Sequence, residues 1–205
     1  MISGLTSEML IEHPAPGVDV LVRKAVMSDI APILELINGY AAQGIMLPRT
    51  EFELSENIRD FSVALADDRL LGCGALHFYS PTSGEIRSLA VHESAKIHGI
   101  GRRLVEALVH EAENYSLEVV FAFTYVVEFF QKMGFEEVER GLLPLKAWKD
   151  CLRCPKFQCC DEIAVMRVLS ADFWGGSVAH MRGEDSSRMP LEGLIQLPIP
   201  RKIKD

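Results

Sequence analysis

Several things are scarce in this 205-residue chain, and each scarcity excludes something. Nowhere do about 18 apolar residues run together, so no transmembrane helix is expected. Met1 to Gly17 has neither a basic start nor a long apolar stretch, which argues against a signal peptide and for a cytoplasmic location. Basic residues are outnumbered, 21 Lys+Arg against 29 Asp+Glu, for a net charge of −8. Such a chain repels phosphate backbones, so nucleic acid is not an expected partner, although a local basic patch can still hold one small anion. Cysteines number only five and are unevenly spread, with Cys73 alone and Cys151, Cys154, Cys159 and Cys160 within ten residues. A secreted disulfide scaffold would distribute them. No repeat or low-complexity tract is present, and 48% hydrophobic with 24% charged residues is a globular mix.

What is there reads as one domain with extensions. Residues 1–17 form an N-terminal extension, 18–170 the domain and 171–205 a tail. A first strand runs around Val20 and Val22. Ser28 then suits a helix N-cap, with Asp29 and Pro32 in the first turn. Glu51–Arg59 reads as a short helix, Phe61–Ala66 and Leu70–Tyr79 as strands joined at Asp67-Asp68, and Glu85–Val91 as a further strand. Over 99–115, Ile100, Leu104, Ala107, Leu108, Ala112 and Tyr115 make an apolar helical stripe. A buried strand (Leu117–Thr124), a short helix stopped by Gly134, a strand from Phe135 and a last strand (Ile163–Leu169) follow.

The strongest chemical signal is the run from Leu89, Ala90 and Val91 through Lys96, Ile97, His98, Gly99, Ile100, Gly101, Arg102 and Arg103. A strand enters a two-glycine loop that opens an amphipathic helix. Glycines let backbone N–H groups approach an anion, and the helix N-terminus adds partial positive charge. The basic side chains complete a pyrophosphate site. A glycine turn with solvated cations is the plainer alternative.

Lys96-x-x-Gly99-x-Gly101 resembles the acetyl-CoA loop of the GNAT acetyltransferase superfamily, departing at the first position, where the family has Gln or Arg. Phe129-Phe130-Gln131-Lys132-Met133-Gly134-Phe135 resembles its second signature. The element order over residues 18–170 is similar too, which implies an α+β GNAT fold with a mixed sheet of about six to seven strands. A Rossmann fold fits poorly, because its glycine loop follows the first strand and needs an acidic ribose ligand.

The segments Gln43–Arg49, Gly72–Leu76 and Gly84–Val91 resemble the acetyltransferase part of the N-acetylglutamate synthases. That resemblance implies acetyl transfer from acetyl-CoA to the α-amino group of L-glutamate, the first step of arginine biosynthesis. It also implies a short form without the arginine-sensing amino-acid-kinase domain. Glutamate carries two carboxylates, so its pocket needs cations, arginines above all. Arg23, Arg49 and Arg87 are the candidates, each with a solvated surface charge as the plainer alternative. Glu85, two residues from Arg87 and expected on one face with it, Leu89 and Val91, is the candidate base, as the resemblance also implies. Backbone N–H groups of Leu89–Val91 are placed to polarise the thioester carbonyl. Many GNAT enzymes carry an acidic tyrosine where this chain has Phe130, so Tyr125, Thr124 or water must protonate the leaving thiolate. Cys73 has no base beside it in sequence and reads as a small core residue.

The segment 148–162 offers Cys151, Cys154 and Cys160 as a three-thiolate site for a structural zinc, or more remotely an iron–sulfur cluster. A reduced loop or an adventitious disulfide accounts for the same cysteines. Alternatives to the glutamate reading are acetylation of another small amine, or a non-catalytic module sensing acetyl-CoA, metal or redox state. A homodimer is expected by analogy with GNAT proteins.

Overall fold

The computed structural model describes residues 19–143, 156 and 160–170. The chain divides into two units, Met1–Phe173 and Trp174–Asp205, and every described residue belongs to the first. The expected extension 1–17, the tail 171–205 and most of segment 148–162 lie outside the described residues.

Among the described residues, seven strands form one mixed sheet. They are β1 (Leu21–Lys24), β2 (Phe61–Ala66), β3 (Arg69–Phe78), β4 (Ser83–Val91), β5 (Val119–Thr124), β6 (Glu136–Glu137) and β7 (Ile163–Val168). Their spatial order is β1-β2-β3-β4-β5-β7-β6. Only the β4–β5 pair is parallel. The near-continuous apolar runs of β2, β3 and β5 suit strands covered on both faces. Asp67 and Asp68 both adopt positive φ, 47° and 60°, the twist a two-residue hairpin needs, and Asp tolerates it.

The sheet is covered by α1 (Ile30–Ala42) and α2 (Glu51–Asn57) on one face, and α3 (Ile100–Asn114) and α4 (Val127–Gln131) on the other. Ile33, Ile37 and Leu54 pack on Phe61, Val63, Cys73 and Ala75. Val105, Leu108, Phe130 and Phe135 pack on Leu76, Ile86, Val120 and Val165. The buried stripe of α3 is Ile100, Leu104, Val105, Leu108, Val109 and Ala112. It is turned slightly from the expected one: Ala107 is half-buried, and Tyr115, just past the helix, is 62% exposed.

The entry to α1 also differs from expectation. A 3-10 turn, Met27–Asp29, precedes the helix, and it is Asp29 rather than Ser28 that organises it. The Asp29 carboxylate accepts the Val26 N–H at 2.8 Å and the fork of Arg23 at 2.7 and 3.0 Å. A bidentate charged acceptor outcompetes a hydroxyl at this position. Arg23 beside it, with the Val26 N–H adding to the effect, holds the Asp29 carboxyl below the usual carboxylate range. Because the folded value is depressed, the stabilisation is complete above about pH 4 and is lost as pH falls through the lowered value. Asp29→Ala is expected to cost about 1–3 kcal/mol. Urea unfolding at pH 7 and pH 3 checks it, and the deficit should shrink at pH 3.

Two irregularities of β4 shape the centre of the molecule. It pairs with β5 only over Ser83–Glu85 against Val119–Phe121, and beyond Glu85 the two strands part. Its register with β3 also shifts: Cys73 faces Ala90 while Ala75 faces Arg87. The extra residue is a β-bulge at Ser88, whose φ is 52°.

Candidate active site

The bulge decides which side chains share a face. Glu85 and Arg87 lie on the α1–α2 face, opposite His77 and Ala75 of β3. After Ser88 the alternation is reset. Ala90 then joins the α1–α2 core, while Leu89 and Val91 pack on the α3 side. The expectation that Glu85, Arg87, Leu89 and Val91 line one face is therefore corrected, because an inserted residue breaks a period of two.

Among the described residues, Glu85 and Asp29 are the buried charged side chains, and Glu85 is 8% exposed. Its Oε2 accepts the Tyr79 hydroxyl at 2.9 Å. Tyr79 in turn lies 5.7 Å from the Phe121 ring and 5.1 Å from His77. Glu85 thus sits beside Tyr79 and in register with Phe121, where β4 and β5 begin to part.

Arg87 and Arg49 come together. Both line one small cleft with Glu53, Leu54, Asn57 and Phe61. Arg49 is delivered there by a rigid local frame. Asn38 of α1 donates to the Arg49 carbonyl at 3.0 Å and accepts its N–H at 2.9 Å. The next residue, Thr50, caps α2: its hydroxyl accepts the Glu53 N–H at 3.2 Å, and Glu53 Oε2 accepts the Thr50 N–H at 2.9 Å. Arg87 stands 3.9 Å from Asp60, whose Oδ2 meets His77 Nδ1 at 2.7 Å. A cleft with two guanidiniums suits a carboxylate-bearing ligand.

Arg23 does not line this cleft. Its fork is taken by Asp29, with a further bond to the Lys24 carbonyl at 3.0 Å, so it ties β1 to the entry of α1.

The glycine loop is a 3-10 turn over Glu93–His98, then Gly99 at φ +70° and the start of α3. The first helical hydrogen bond runs from Arg103 N–H to Gly99 O at 3.1 Å. The N–H groups of Ile100, Gly101 and Arg102 therefore have no acceptor inside the helix. Gly101 has a packing reason as well, since a Cβ there would stand 3.2 Å from the Phe129 ring of α4.

Three of the basic side chains expected around an anion are engaged by the protein. Lys96 bonds Glu93 at 2.5 Å and lies 5.2 Å from the Tyr40 ring centre. Arg102 meets Glu106 at 2.7 Å, and Arg103 donates to the Val20 carbonyl at 2.6 Å. His98 is exposed. Tyr40 anchors the loop from α1 through its hydroxyl, which donates to the Val91 carbonyl at 2.6 Å. The backbone of the helix start, together with Leu89–Val91 on the unpaired edge of β4, is what this region presents to an anion or a carbonyl.

Tyr125 follows β5 directly and is 41% exposed. Desolvation first, with the neighbouring carboxylates adding to it, raises its phenol above the ordinary value, so it holds its proton at neutral pH. Its oxygen accepts from Lys156 Nζ at 3.2 Å.

Cys73 is fully buried, its Sγ 3.7 Å from the Ser88 carbonyl inside the bulge, and burial pushes its thiol up to about 12. That is no nucleophile. Cys73→Ala is expected to keep kcat within about threefold while costing about 1–2 kcal/mol of stability for the small void. Single-turnover kinetics beside a denaturant curve check both.

Of the expected zinc ligands, Cys151 and Cys154 lie outside the described residues, and Cys160 is 3.8 Å from Glu162 Oε2. No group of three or more His, Cys, Asp or Glu among the described residues could hold a metal ion. Among them, too, no helix is long and apolar enough to cross a membrane.

Sequence reasoning missed Tyr79, His77 and Asp60. The first two carried a faint signal, since they alternate along one strand as Glu85 and Arg87 do along the next. Asp60 carried none.

The profile of the acetyltransferase (GNAT) family matches residues 31–135. An uncharacterized N-acetyltransferase of Chlorobaculum tepidum is 42% identical over 154 residues, covering 75% of this chain and 99% of that protein. An amino-acid acetyltransferase of Mycobacterium tuberculosis is 38% identical over 122 residues, 58% of this chain and 70% of that one. Among solved structures, N-acetylglutamate synthase of Neisseria gonorrhoeae complexed with coenzyme A and N-acetyl-glutamate superposes with a TM-score of 0.68 at 30% identity, covering 76% of this chain and 36% of that one.

Proposed function

The chain belongs to the GNAT acetyltransferase family, and we propose that it transfers the acetyl group of acetyl-CoA directly to the α-amino group of L-glutamate. The observation that carries this reading is the meeting of Arg49 and Arg87 in one cleft, with Glu85 two residues from Arg87 on the same face. Two guanidiniums suit an acceptor with two carboxylates, and the buried carboxylate suits removal of a proton from its ammonium. The relatives named amino-acid acetyltransferase support the same class of acceptor. The product would be that of the first step of arginine biosynthesis, which fits a cytoplasmic enzyme.

In this reading the start of α3 and the Leu89–Val91 backbone hold acetyl-CoA, with its thioester in the gap where β4 and β5 part. Glu85 accepts one proton from the ammonium, directly or through a water. The freed nitrogen attacks the acetyl carbon and forms the carbon–nitrogen bond, and the carbon–sulfur bond then breaks as that nitrogen gives up its second proton to water. Backbone N–H groups of Leu89–Val91 stabilise the oxyanion between those events. The thiolate leaves and takes a proton from Tyr125 or from solvent. No covalent enzyme intermediate is involved, in keeping with the inert state of Cys73.

The test is release of CoA thiol from acetyl-CoA across a panel of amino acids and polyamines. Turnover confined to glutamate supports the reading. Turnover with another amino acid keeps the chemistry and replaces the acceptor. Binding of acetyl-CoA with no turnover on any amine overturns it.

A further inference from the structure

The end of β4 is held by a side chain from outside the sheet. Tyr40 belongs to the buried stripe of α1 with Ile33, Leu36 and Ile37, so helix packing fixes its ring. Its hydroxyl donates to the Val91 carbonyl at 2.6 Å, 51 residues away along the chain. The same oxygen lies 3.3 Å from Glu93 Oε1, and its one proton goes to the shorter contact. Burial keeps the phenol above its ordinary range, so it retains the proton it donates. The Val91 carbonyl needs such a partner. The His92 N–H goes to the Leu71 carbonyl of β3 at 2.8 Å. Neighbouring residues of a strand direct their backbone groups to opposite edges, so the Val91 carbonyl faces the edge that β5 leaves after Glu85. A buried carbonyl left without a donor carries its full desolvation penalty, and Tyr40 removes it.

Val91 is also where the sheet hands over to the glycine loop. Val91, Ala95, Ile100 and Leu104 share one buried cluster, so packing passes the position of Val91 to the start of α3. The Glu93–Lys96 pair closes over the Tyr40 ring, but its side chains are 75% and 49% exposed, and such a pair adds little by itself. The buried hydroxyl is the stronger restraint. Lys96, Arg102 and Arg103 are engaged by protein groups. The N–H groups of Ile100, Gly101 and Arg102 are therefore the donors whose aim matters most to an anion. A loop already held in its binding form loses less entropy when the ligand arrives.

We propose that Tyr40 is a positioning residue for acetyl-CoA: its hydroxyl pins the end of β4 and so fixes the backbone donors at the start of α3. The proposal rests on the acetyl-CoA part of the reading above and is independent of the acceptor. Tyr40 acts through the backbone and touches no reacting atom.

Tyr40→Phe isolates the hydroxyl, because the ring, its packing and the Lys96 ammonium over its face are kept. In calorimetry on the full chain without acceptor, Kd for CoA is expected to rise about tenfold, the loss of one buried hydrogen bond. KM for acetyl-CoA should rise with it, while kcat and KM for the acceptor that the wild type turns over stay within about threefold. The second arm needs no ligand. In the ligand-free full chain, amide exchange should quicken about tenfold at Ala95 and Arg103, whose N–H groups bond His92 and Gly99. It should be unchanged at Val63 of β2 and Val120 of β5. A Kd within twofold of wild type overturns the proposal, and so does unchanged exchange at Ala95 and Arg103. Faster exchange at Val63 and Val120 as well would mean a general loosening, and that also overturns it. A wild type that binds no CoA removes the cofactor reading and the proposal with it. Failure of the proposal alone shows as a wild type that binds CoA and a variant that binds it equally well. Failure of the glutamate reading shows in the acceptor panel alone.

Discussion

Glu85→Gln is expected to lower kcat roughly 10²–10⁴-fold at neutral pH, the range that a placed general base contributes. Glutamine keeps the size and the oxygen that accepts the Tyr79 hydroxyl. What it loses is the ability to take a proton, and an ammonium has no lone pair to attack with. Binding of acetyl-CoA should persist, because the helix start of α3 does not involve Glu85. Raising the pH supplies free amine from solution, so the deficit should narrow in alkaline buffer. Stopped-flow detection of CoA thiol across a pH series, beside calorimetric binding of acetyl-CoA, reads both. A variant within threefold of wild type would remove Glu85 from the chemistry and leave deprotonation to water or to Tyr79.

Removing the cleft arginines should act on binding instead. Arg49→Ala and Arg87→Ala are each expected to raise KM for glutamate about 10–100-fold, since a hydrogen bond to a charged group is worth about 1.5–3 kcal/mol. KM for acetyl-CoA should hold. Glu53 lines the same cleft, so losing one guanidinium also tilts the local charge against an anionic acceptor. Lysine at either position should recover only part of the loss, because an ammonium lacks the fork that meets a carboxylate twice. Arg23→Ala is the contrasting variant. Its partner is Asp29, so it should lower stability and leave KM alone. A rise in KM for Arg23→Ala equal to that of the cleft variants would show that the acceptor lies elsewhere.

Much of the scaffold was legible in local pattern. The α3 repeat of Ile100, Leu104 and Leu108 fixes a helix face because 3.6-residue spacing needs no distant information. The turn at Asp67-Asp68 lies between two apolar runs, and Gly99 and Gly101 stand between a strand and a helix, so the signals are local there too. Arg49, Arg87 and Glu85 were nameable because their residue types match an acceptor with carboxylates and an ammonium.

Tertiary structure alone decided the rest. The bulge at Ser88 depends on the register of β3 against β4, and it moved Leu89 and Val91 to the opposite face from Glu85 and Arg87. Which carboxylate each cation finds is equally non-local. Arg23 went to Asp29, Arg87 came within 3.9 Å of Asp60, and Lys24 reached Glu111 at 2.8 Å. An ion pair forms wherever folding brings two charges within a few ångströms, and chain spacing does not encode that distance. Periodicity specified the elements of this protein, and inter-strand register chose the residues that meet in its cleft.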